Sequence, residues 1–308
     1  MNEAIGPDSF KKEGEIKSKS ESRLRFWGDD RLIVGWVYSL AMKVFVLDLG
    51  WLECDLNWMV SLAVIGTRAN PTPAARWVRI PIYAVLIDHP DGAILYDTGC
   101  HPDAMKGYWP EGLQTVFPFY HLPEQTLDAQ LARCGTSVDR IRRVVLSHLH
   151  CDHAGNLHRF AQAEVLVPDA DYAHAQALVA ANPQLPSHGA YIRDDIRCQI
   201  PCLTRVREEV EIAKGVQLLN LPGHTPGLLG VLLKLDRGAN LLFPQDALYT
   251  PANYGPPARA SGIVYDSLSF LASIEKIRRL AQEHQAQVMF SHDEKIFRTL
   301  RKAPEFYS

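Results

Sequence analysis

The sequence predicts an α/β fold with a mixed β-sheet, in one domain that follows an N-terminal extension. Three observations favour this fold class. Segments typical of strands follow one another from residue 42 to residue 97, and strand and helix patterns alternate afterwards. With 308 residues the chain can bury a sizeable core. Its contents of 47% hydrophobic and 22% charged residues are ordinary for a globular protein.

Residues 1–41 form the predicted extension. Lysine and glutamate are dense between residues 11 and 19 and no apolar period is present, so we expect disorder there. The apolar run at residues 32–42 contains Ser39-Leu40-Ala41, which resembles the cleavage site of a secretory signal. However, the run is too short to cross a bilayer and two aspartates precede it, which favours a cytoplasmic protein. The predicted domain extends from residue 42 to residue 308.

Charge and cysteine content narrow the classes of partner. The formal net charge of -3 gives no basic footprint for nucleic acid, and we expect neither nucleic acid nor a membrane as a partner. The six cysteines are scattered and form no matched pairs with metal-ligand spacing. Reduced thiols are the simplest interpretation.

The predicted elements follow from apolar periodicity and turn residues. Strands are predicted at residues 44–47, 59–65, 78–87, 93–97, 141–146, 163–167, 216–221, 228–235, 241–243 and 287–290. Helices are predicted at residues 124–134, at residues 169–181, and from Asp266 or Ser267 to His284. Residues 182–215 are polar and irregular, and no element is predicted there. The aromatic connection at residues 101–122 is either a binding loop, lid or subunit contact, or a loop on a small core of its own.

Residues 147–155 (SHLHCDHAG) place four metal-binding side chains directly after a predicted strand. In an extended segment alternate residues point the same way, so His148 and His150 can bind one ion. Asp152 and His153 are then free to bind a second ion beside it. Structural zinc sites are usually closed and rich in cysteine, whereas catalytic sites use histidine and carboxylate ligands. A catalytic metal site is therefore favoured over solvated surface histidines or one structural zinc.

Three further metal-binding residues stand at or just after predicted strand ends. His224 follows the strand at residues 216–221, Asp246 follows the strand at residues 241–243, and His292 follows the last strand. A carboxylate at the end of an apolar strand is suited to bridge two ions. Asp97, at the end of another strand, is either a turn residue or a support for the metal loop.

The segment at residues 147–155 resembles the defining motif of the metallo-β-lactamase superfamily. The resemblance implies a four-layer αββα sandwich and two divalent ions. One ion would take His148, His150 and His224, and the other Asp152, His153 and His292, with Asp246 as the bridge and Asp97 holding a histidine by hydrogen bonds. Zinc is the expected metal, although manganese, iron and cobalt also accept this ligand set.

Within that superfamily the chain resembles the N-acyl-homoserine lactone lactonases, γ-butyrolactone lactonases and 4-pyridoxolactonase. The resemblance rests on residues 246–250 (DALYT), residues 291–293 (SHD) and the tail at residues 302–307 (KAPEFY). It implies a metal-dependent hydrolase that opens a lactone ring, with a quorum-quenching role. The alternatives are a 4-pyridoxolactonase or other small-lactone hydrolase, and a thioester hydrolase of the glyoxalase II kind.

The resemblance also assigns roles outside the ligand set. Tyr249 is expected to stabilise the oxyanion or to assist the leaving alkoxide, against the alternative of a buried core tyrosine. Asp152 is expected to act at the catalytic centre as a ligand and not as a free base. Trp109 and Phe119 are expected to form part of an apolar cleft for the acyl chain. A homodimer is the oligomeric state we expect.

Overall fold

The structure, a computed structural model, describes residues 41–308. Two predictions concern residues before this range: disorder over residues 1–41 and the apolar run at residues 32–42. Apart from residues 41 and 42, both lie outside the described residues. Among the described residues, no helix is both long enough and apolar enough to cross a membrane.

The strands of the described region are, in chain order, β1 (Lys43–Asp55), β2 (Trp77–Asp88), β3 (Ile94–Tyr96), β4 (Phe119–Tyr120), β5 (Arg143–Val145), β6 (Glu164–Pro168), β7 (Ser187–His188), β8 (Tyr191–Ile192), β9 (Leu203–Val206), β10 (Val210–Ala213), β11 (Val216–Asn220), β12 (Leu229–Leu233), β13 (Asn240–Phe243) and β14 (Ala286–Val288). The α-helices are α1 (Leu56–Met59), α2 (Glu111–Val116), α3 (Leu127–Arg133), α4 (Cys151–Ala154), α5 (Asp169–Ala181), α6 (Arg193–Ile196), α7 (Pro251–Tyr254), α8 (Ser267–Glu283) and α9 (Glu294–Thr299).

Two large sheets carry the fold. The first has the strand order β4-β1-β2-β3-β5-β6-β9, and the second has the order β10-β11-β12-β13-β14. In the first sheet β3, β5, β6 and β9 run parallel, and in the second β13 and β14 run parallel. Parallel neighbours end at the same edge of a sheet. The segments that follow β3 and β5, and those that follow β13 and β14, are therefore brought together in pairs.

Alternating side chains assign the two faces of each sheet. Val44 and Val46 of β1 belong to the core between the sheets, with Val231 and Phe243 of the second sheet. Phe45 and its alternate neighbours on β1 pack outward in the cluster that also holds residues of α3 and α5. On the other side, α8 covers the outer face of the second sheet. The predicted four-layer αββα sandwich is confirmed.

The strand predicted at residues 59–65 is wrong. Met59 ends the short helix α1, whose first turn is capped by Asp55, and Asn57 accepts a hydrogen bond from the Val64 amide across the following loop. Leu62 has a φ of 56° and its side chain is 70% exposed, so this apolar run has no continuous face to bury. The first strand instead extends through Asp55, well beyond its predicted end.

Two other regions differ from the sequence prediction. Residues 182–215, for which no element was predicted, contain β7 to β10 and α6. The helix predicted at residues 124–134 begins only at Leu127, because the Thr126 hydroxyl caps it by accepting from the Ala129 amide at 3.3 Å. Both differences involve short elements, whose periodicity is too brief to detect.

Candidate metal centre

All seven predicted metal ligands lie together at one edge of the two sheets. Within the described region they form two groups, whose potential ligand atoms lie within 4.8 Å of one another. The first group is His148, His150 and His224, and the second is Asp152, His153, Asp246 and His292. All of these are buried except Asp152, whose side chain is 12% exposed. The strand ends therefore meet where the sequence predicted.

Asp97 anchors the metal loop. Its backbone adopts the left-handed region with a φ of 61°, which an aspartate tolerates better than most residues. Its carboxylate accepts hydrogen bonds from the Ser147 amide at 2.7 Å, the Ser147 hydroxyl at 2.9 Å and His153 Nδ1 at 2.8 Å. The hydrogen bonds predicted for Asp97 are present, and they fix the start of the loop and the ring of His153.

The proton positions on four histidines follow from their outer partners. His224 Nδ1 lies 3.0 Å from the Ile263 carbonyl oxygen, and His292 Nδ1 lies 3.0 Å from the Pro81 carbonyl oxygen. A carbonyl can only accept, so each Nδ1 carries the proton. The same holds for His153 against Asp97, and for His148, whose Nδ1 donates to a Ser147 hydroxyl that itself donates to Asp97. The Nε2 lone pairs of all four rings therefore point inward.

These Nε2 atoms converge on the oxygens of Asp246, and His224 Nε2 also lies 3.0 Å from His150 Nδ1. Asp246 Oδ2 lies 3.4 Å from His224 Nε2 and 3.8 Å from His148 Nε2. Asp246 Oδ1 lies 3.1 Å from His292 Nε2 and 3.4 Å from His153 Nε2. His148 Nε2, His153 Nε2 and Asp246 Oδ1 are buried and have no hydrogen-bond partner. Buried ring nitrogens and carboxylate oxygens that face one another are stabilised by positive charge between them, so the set fits two cations with Asp246 in the middle.

The charges of the site point the same way. Burial, with the neighbouring imidazoles, lowers the pKa of His148 well below its ordinary value, and burial beside His224 lowers the pKa of His150 to about 3. Burial alone would lower the pKa of His153 and of His292, but the neighbouring carboxylates outweigh burial. The pKa values of both histidines are therefore raised. The first group is therefore neutral and free to bind a cation. The second group holds two carboxylates that require positive charge.

Two residues that support the first group were missed by sequence reasoning. Asp171, buried within α5, accepts from the Leu149 amide at 2.8 Å and from the Tyr191 hydroxyl at 2.5 Å. The Tyr191 ring in turn contacts His150 edge-on, with ring centroids 4.6 Å apart. Burial raises the pKa of Asp171 to about 7. Asp171 lies inside a predicted helix and Tyr191 in a segment without a predicted element, so no sequence signal marked them.

Tyr249 lies at the centre and not in a remote core. Its hydroxyl lies 3.1 Å from His224 Nδ1, and its side chain lines the cleft that opens over Asp152 and Asp246. Burial, together with the charge of Asp246, raises its pKa well above the ordinary value, so the phenol stays protonated and able to donate. The sequence prediction that Tyr249 accompanies the metal ligands agrees with this placement.

An apolar cleft adjoins the ligands. Its apolar walls are Leu52, Met59, Ile80, Leu113, Phe117, Cys151, Ala190 and Ile263. Leu113 and Phe117 come from the aromatic connection, so this segment contributes to the cleft as expected. The prediction that Trp109 and Phe119 line the acyl cleft is wrong. Trp109 is fully buried in the core, and Phe119 lines a separate pocket with Leu49 and Cys100.

The chain is similar to curated lactonases over most of its length. It is 36% identical over 278 residues to N-acyl homoserine lactonase AiiB of Agrobacterium fabrum, which covers 87% of this chain and 100% of that protein. It is 27% identical over 278 residues to N-acyl homoserine lactonase AttM of Rhizobium radiobacter, covering 87% and 99%. The predicted class of metal-dependent hydrolase is confirmed by these relatives.

Solved structures and a family profile agree with this result. A structure of an N-acyl homoserine lactone hydrolase with the product N-hexanoyl-L-homoserine at its metal centre superposes with a TM-score of 0.74 at 22% identity, covering 87% of this chain and 99% of that one. At 22% identity, this similarity shows that the two proteins share a fold. The profile described as "Metallo-beta-lactamase superfamily" matches residues 77–292. As its motif predicted, the chain belongs to the metallo-beta-lactamase superfamily.

Proposed function

We propose that this protein is a dinuclear metal-dependent hydrolase that opens the ring of N-acyl-homoserine lactones. The observation that carries the proposal is the 36% identity to a curated N-acyl homoserine lactonase over the whole length of that protein. The site supports the same function, because a cluster of aspartates and histidines adjoins an apolar cleft. The polar lactone ring fits the cluster, and the apolar acyl chain fits the cleft.

The proposed ligands are the residues of the two groups. His148, His150 and His224 would hold one ion, Asp152, His153 and His292 the other, and Asp246 would offer one oxygen to each. Two such cations, when bound, lower the pKa of water and polarise a substrate carbonyl. Zinc suits this mixture of imidazole and carboxylate, as would manganese, iron or cobalt. Asp152 acts here as a ligand, so it is not available as a free base.

Tyr249 supplies the donor that the chain itself brings to the reaction. Its protonated hydroxyl borders the cleft where the lactone carbonyl would lie. A neutral donor at that place stabilises negative charge on the former carbonyl oxygen, or on the alkoxide that leaves when the ring C–O bond breaks. A buried donor is effective because its orientation is already fixed before the reaction begins.

The cleft accounts for the acyl part of the substrate. Its apolar lining includes Met59, Ile80 and Ile263, together with Leu113 and Phe117 of the aromatic connection. Each methylene buried there contributes about 0.8 kcal/mol. The ring end of the substrate would then lie against Asp246 and Tyr249, with the chain directed outward along the cleft.

A substrate panel on zinc-loaded protein tests the proposal. We expect the highest kcat/KM on N-acyl-homoserine lactones, with much lower values on γ-butyrolactone, 4-pyridoxolactone, S-lactoylglutathione and a phosphodiester. The metal-free protein is the control, and it should be inactive on all of them. A preference for 4-pyridoxolactone would replace the proposed substrate by a ring-fused lactone, and a preference for S-lactoylglutathione would make the protein a thioester hydrolase.

Three further expectations accompany this proposal. Destruction of a diffusible lactone signal would give the protein a quorum-quenching role. A cytoplasmic location and a homodimeric state remain predictions from the sequence. Fractionation of the source cells and a molar mass measured by light scattering would decide these two points.

A further inference from the structure

Gln245, the residue directly before Asp246, occupies an unfavourable position. It follows β13 in a short 3-10 turn and has a φ of 46°, a conformation that costs a residue with a side chain more than it costs glycine. Its side chain is only 1% exposed, and its Oε1 is buried without a hydrogen-bond partner. Backbone strain and an unsatisfied acceptor both oppose a glutamine here.

One contact of Gln245 offsets these costs. Its Nε2 donates to Asp97 Oδ2 at 2.5 Å, and hydrogen bonds from an amide to a buried carboxylate are among the stronger ones. The same oxygen accepts from the Ser147 hydroxyl and from His153 Nδ1. Gln245 is therefore the only one of these donors that comes from the second sheet.

This contact joins two members of the same ligand group. Through Asp97, Gln245 bears on the ring orientation of His153, and through the chain it is adjacent to Asp246. Both belong to the group that also contains Asp152 and His292. In the other group, His224 is held by the Ile263 carbonyl and His150 packs on the Tyr191 ring, while His148 reaches Asp97 only through the Ser147 hydroxyl. The amide of Gln245 therefore bears most directly on His153, which shares the Asp97 oxygen with it and belongs to the second group.

We propose that Gln245 is a positioning residue for the ion held by Asp152, His153, Asp246 and His292. The proposal rests on the dinuclear centre proposed above. Gln245 binds no ion itself. It fixes the distance between the His153 and Asp246 ligand atoms by tying their two sheets together at Asp97. Loss of a partner of this kind typically weakens metal affinity by about 10- to 100-fold.

The test measures the two stepwise zinc affinities of the metal-free full-length protein by competition with a chromophoric chelator. Gln245→Gly removes the amide and also relieves the strain of the positive φ, and its melting temperature is measured beside the affinities as the control for folding. We expect one of the two dissociation constants to rise about 10- to 100-fold, while the other changes less than about threefold. Gln245→Met, of similar length but with no amide donor, should give the same selective loss.

A double variant tests the route of the effect. If Gln245 acts through Asp97, the zinc affinities of Asp97→Ala with Gln245→Gly should equal those of Asp97→Ala alone, because coupled residues are not additive. Unchanged constants in Gln245→Gly would overturn the proposal. Equal weakening of both constants with a lower melting temperature would overturn it as well, since that pattern indicates a purely structural role. A wild-type protein that binds fewer than two zinc ions would instead refute the dinuclear centre itself.

Discussion

The ligand cluster and the apolar cleft share residues, but the chain builds them differently. Each ligand follows or lies close to a strand end. Four of the five histidine rings are held at Nδ1 by a carbonyl, hydroxyl or carboxylate oxygen. The cleft is assembled from two strands, two short helices, the metal loop and the segments around Ala190 and Ile263. Under the proposed function, its apolar walls contact the acyl chain without hydrogen bonds. We therefore expect the chemistry to depend on the ligand residues at the strand ends, and chain-length selectivity to depend on the walls of the cleft.

Asp246→Asn is the strongest test of the cluster. An amide in place of the carboxylate removes the negative charge between the two groups, so we expect activity to fall by at least about 1000-fold and bound zinc to drop below two ions per chain. Zinc analysis with the lactonase assay measures both. His158→Ala, at an exposed histidine outside the two groups, is the control and should keep both properties. Two ions with normal turnover in Asp246→Asn would show that Asp246 is no bridge.

Tyr249→Phe separates catalysis from metal binding. Loss of one oxyanion donor typically lowers turnover by about 10- to 1000-fold, and the hydroxyl holds no ion in this proposal. Zinc content and melting temperature should therefore stay close to those of the wild type. An unaltered kcat would reduce Tyr249 to a core residue that only fills space beside His224.

Phe117→Ala and Trp109→Ala contrast the cleft with the core behind it. In the wild type kcat/KM should rise about fourfold per added methylene until the cleft is full. Phe117→Ala should flatten that rise and lower kcat/KM roughly tenfold on decanoyl relative to butanoyl substrate. Trp109→Ala should instead cost about 3–5 kcal/mol of stability with no change in the chain-length profile. If Trp109→Ala flattened the chain-length profile and Phe117→Ala only lowered the stability, the acyl chain would bind on the other side of the aromatic connection.

The smallest expected effect concerns Asp195, which lies in α6. Asp195 is buried, accepts from the Tyr108 hydroxyl at 2.5 Å, and leaves Oδ2 without a partner. Burial raises its pKa from 3.8 to about 7. A folded-state pKa above the unfolded value gives stability that is present at low pH and is lost as the pH rises through 7. Asp195→Asn should therefore raise the melting temperature at pH 8 but not at pH 4, and an equal change at both would contradict the shift.

The sequence was sufficient for the parts of the molecule that local patterns encode. The HxHxDH segment needs no tertiary knowledge, and His224, Asp246 and His292 were found because each stands at or just after the end of an apolar strand. The ends of β13 and β14 meet because parallel neighbours in a sheet end at one edge, and β11 runs in the same direction as β13 because both are antiparallel to β12 between them. The family resemblance then implied how the two sheets stack.

The remainder depends on contacts between segments distant in the chain. Asp171, Tyr191 and Gln245 support the site through hydrogen bonds whose partners lie 20 to 148 residues apart in the chain, which no local pattern reveals. Apolar character alone also misled the prediction at residues 59–65, where a capped turn and a side chain-to-backbone hydrogen bond outweigh strand propensity. The aromatic connection was recognised, but which of its rings face the cleft depended on packing.

In the proposed function, lactone hydrolysis by this chain requires two ions held by the seven residues at the strand ends. Its most direct test is a titration of the metal-free protein with zinc while hydrolysis of N-hexanoyl-homoserine lactone is followed. We expect no ring opening without metal and a plateau of activity at two equivalents of zinc per chain. Activity in the metal-free protein, or a full plateau at one equivalent, would contradict it.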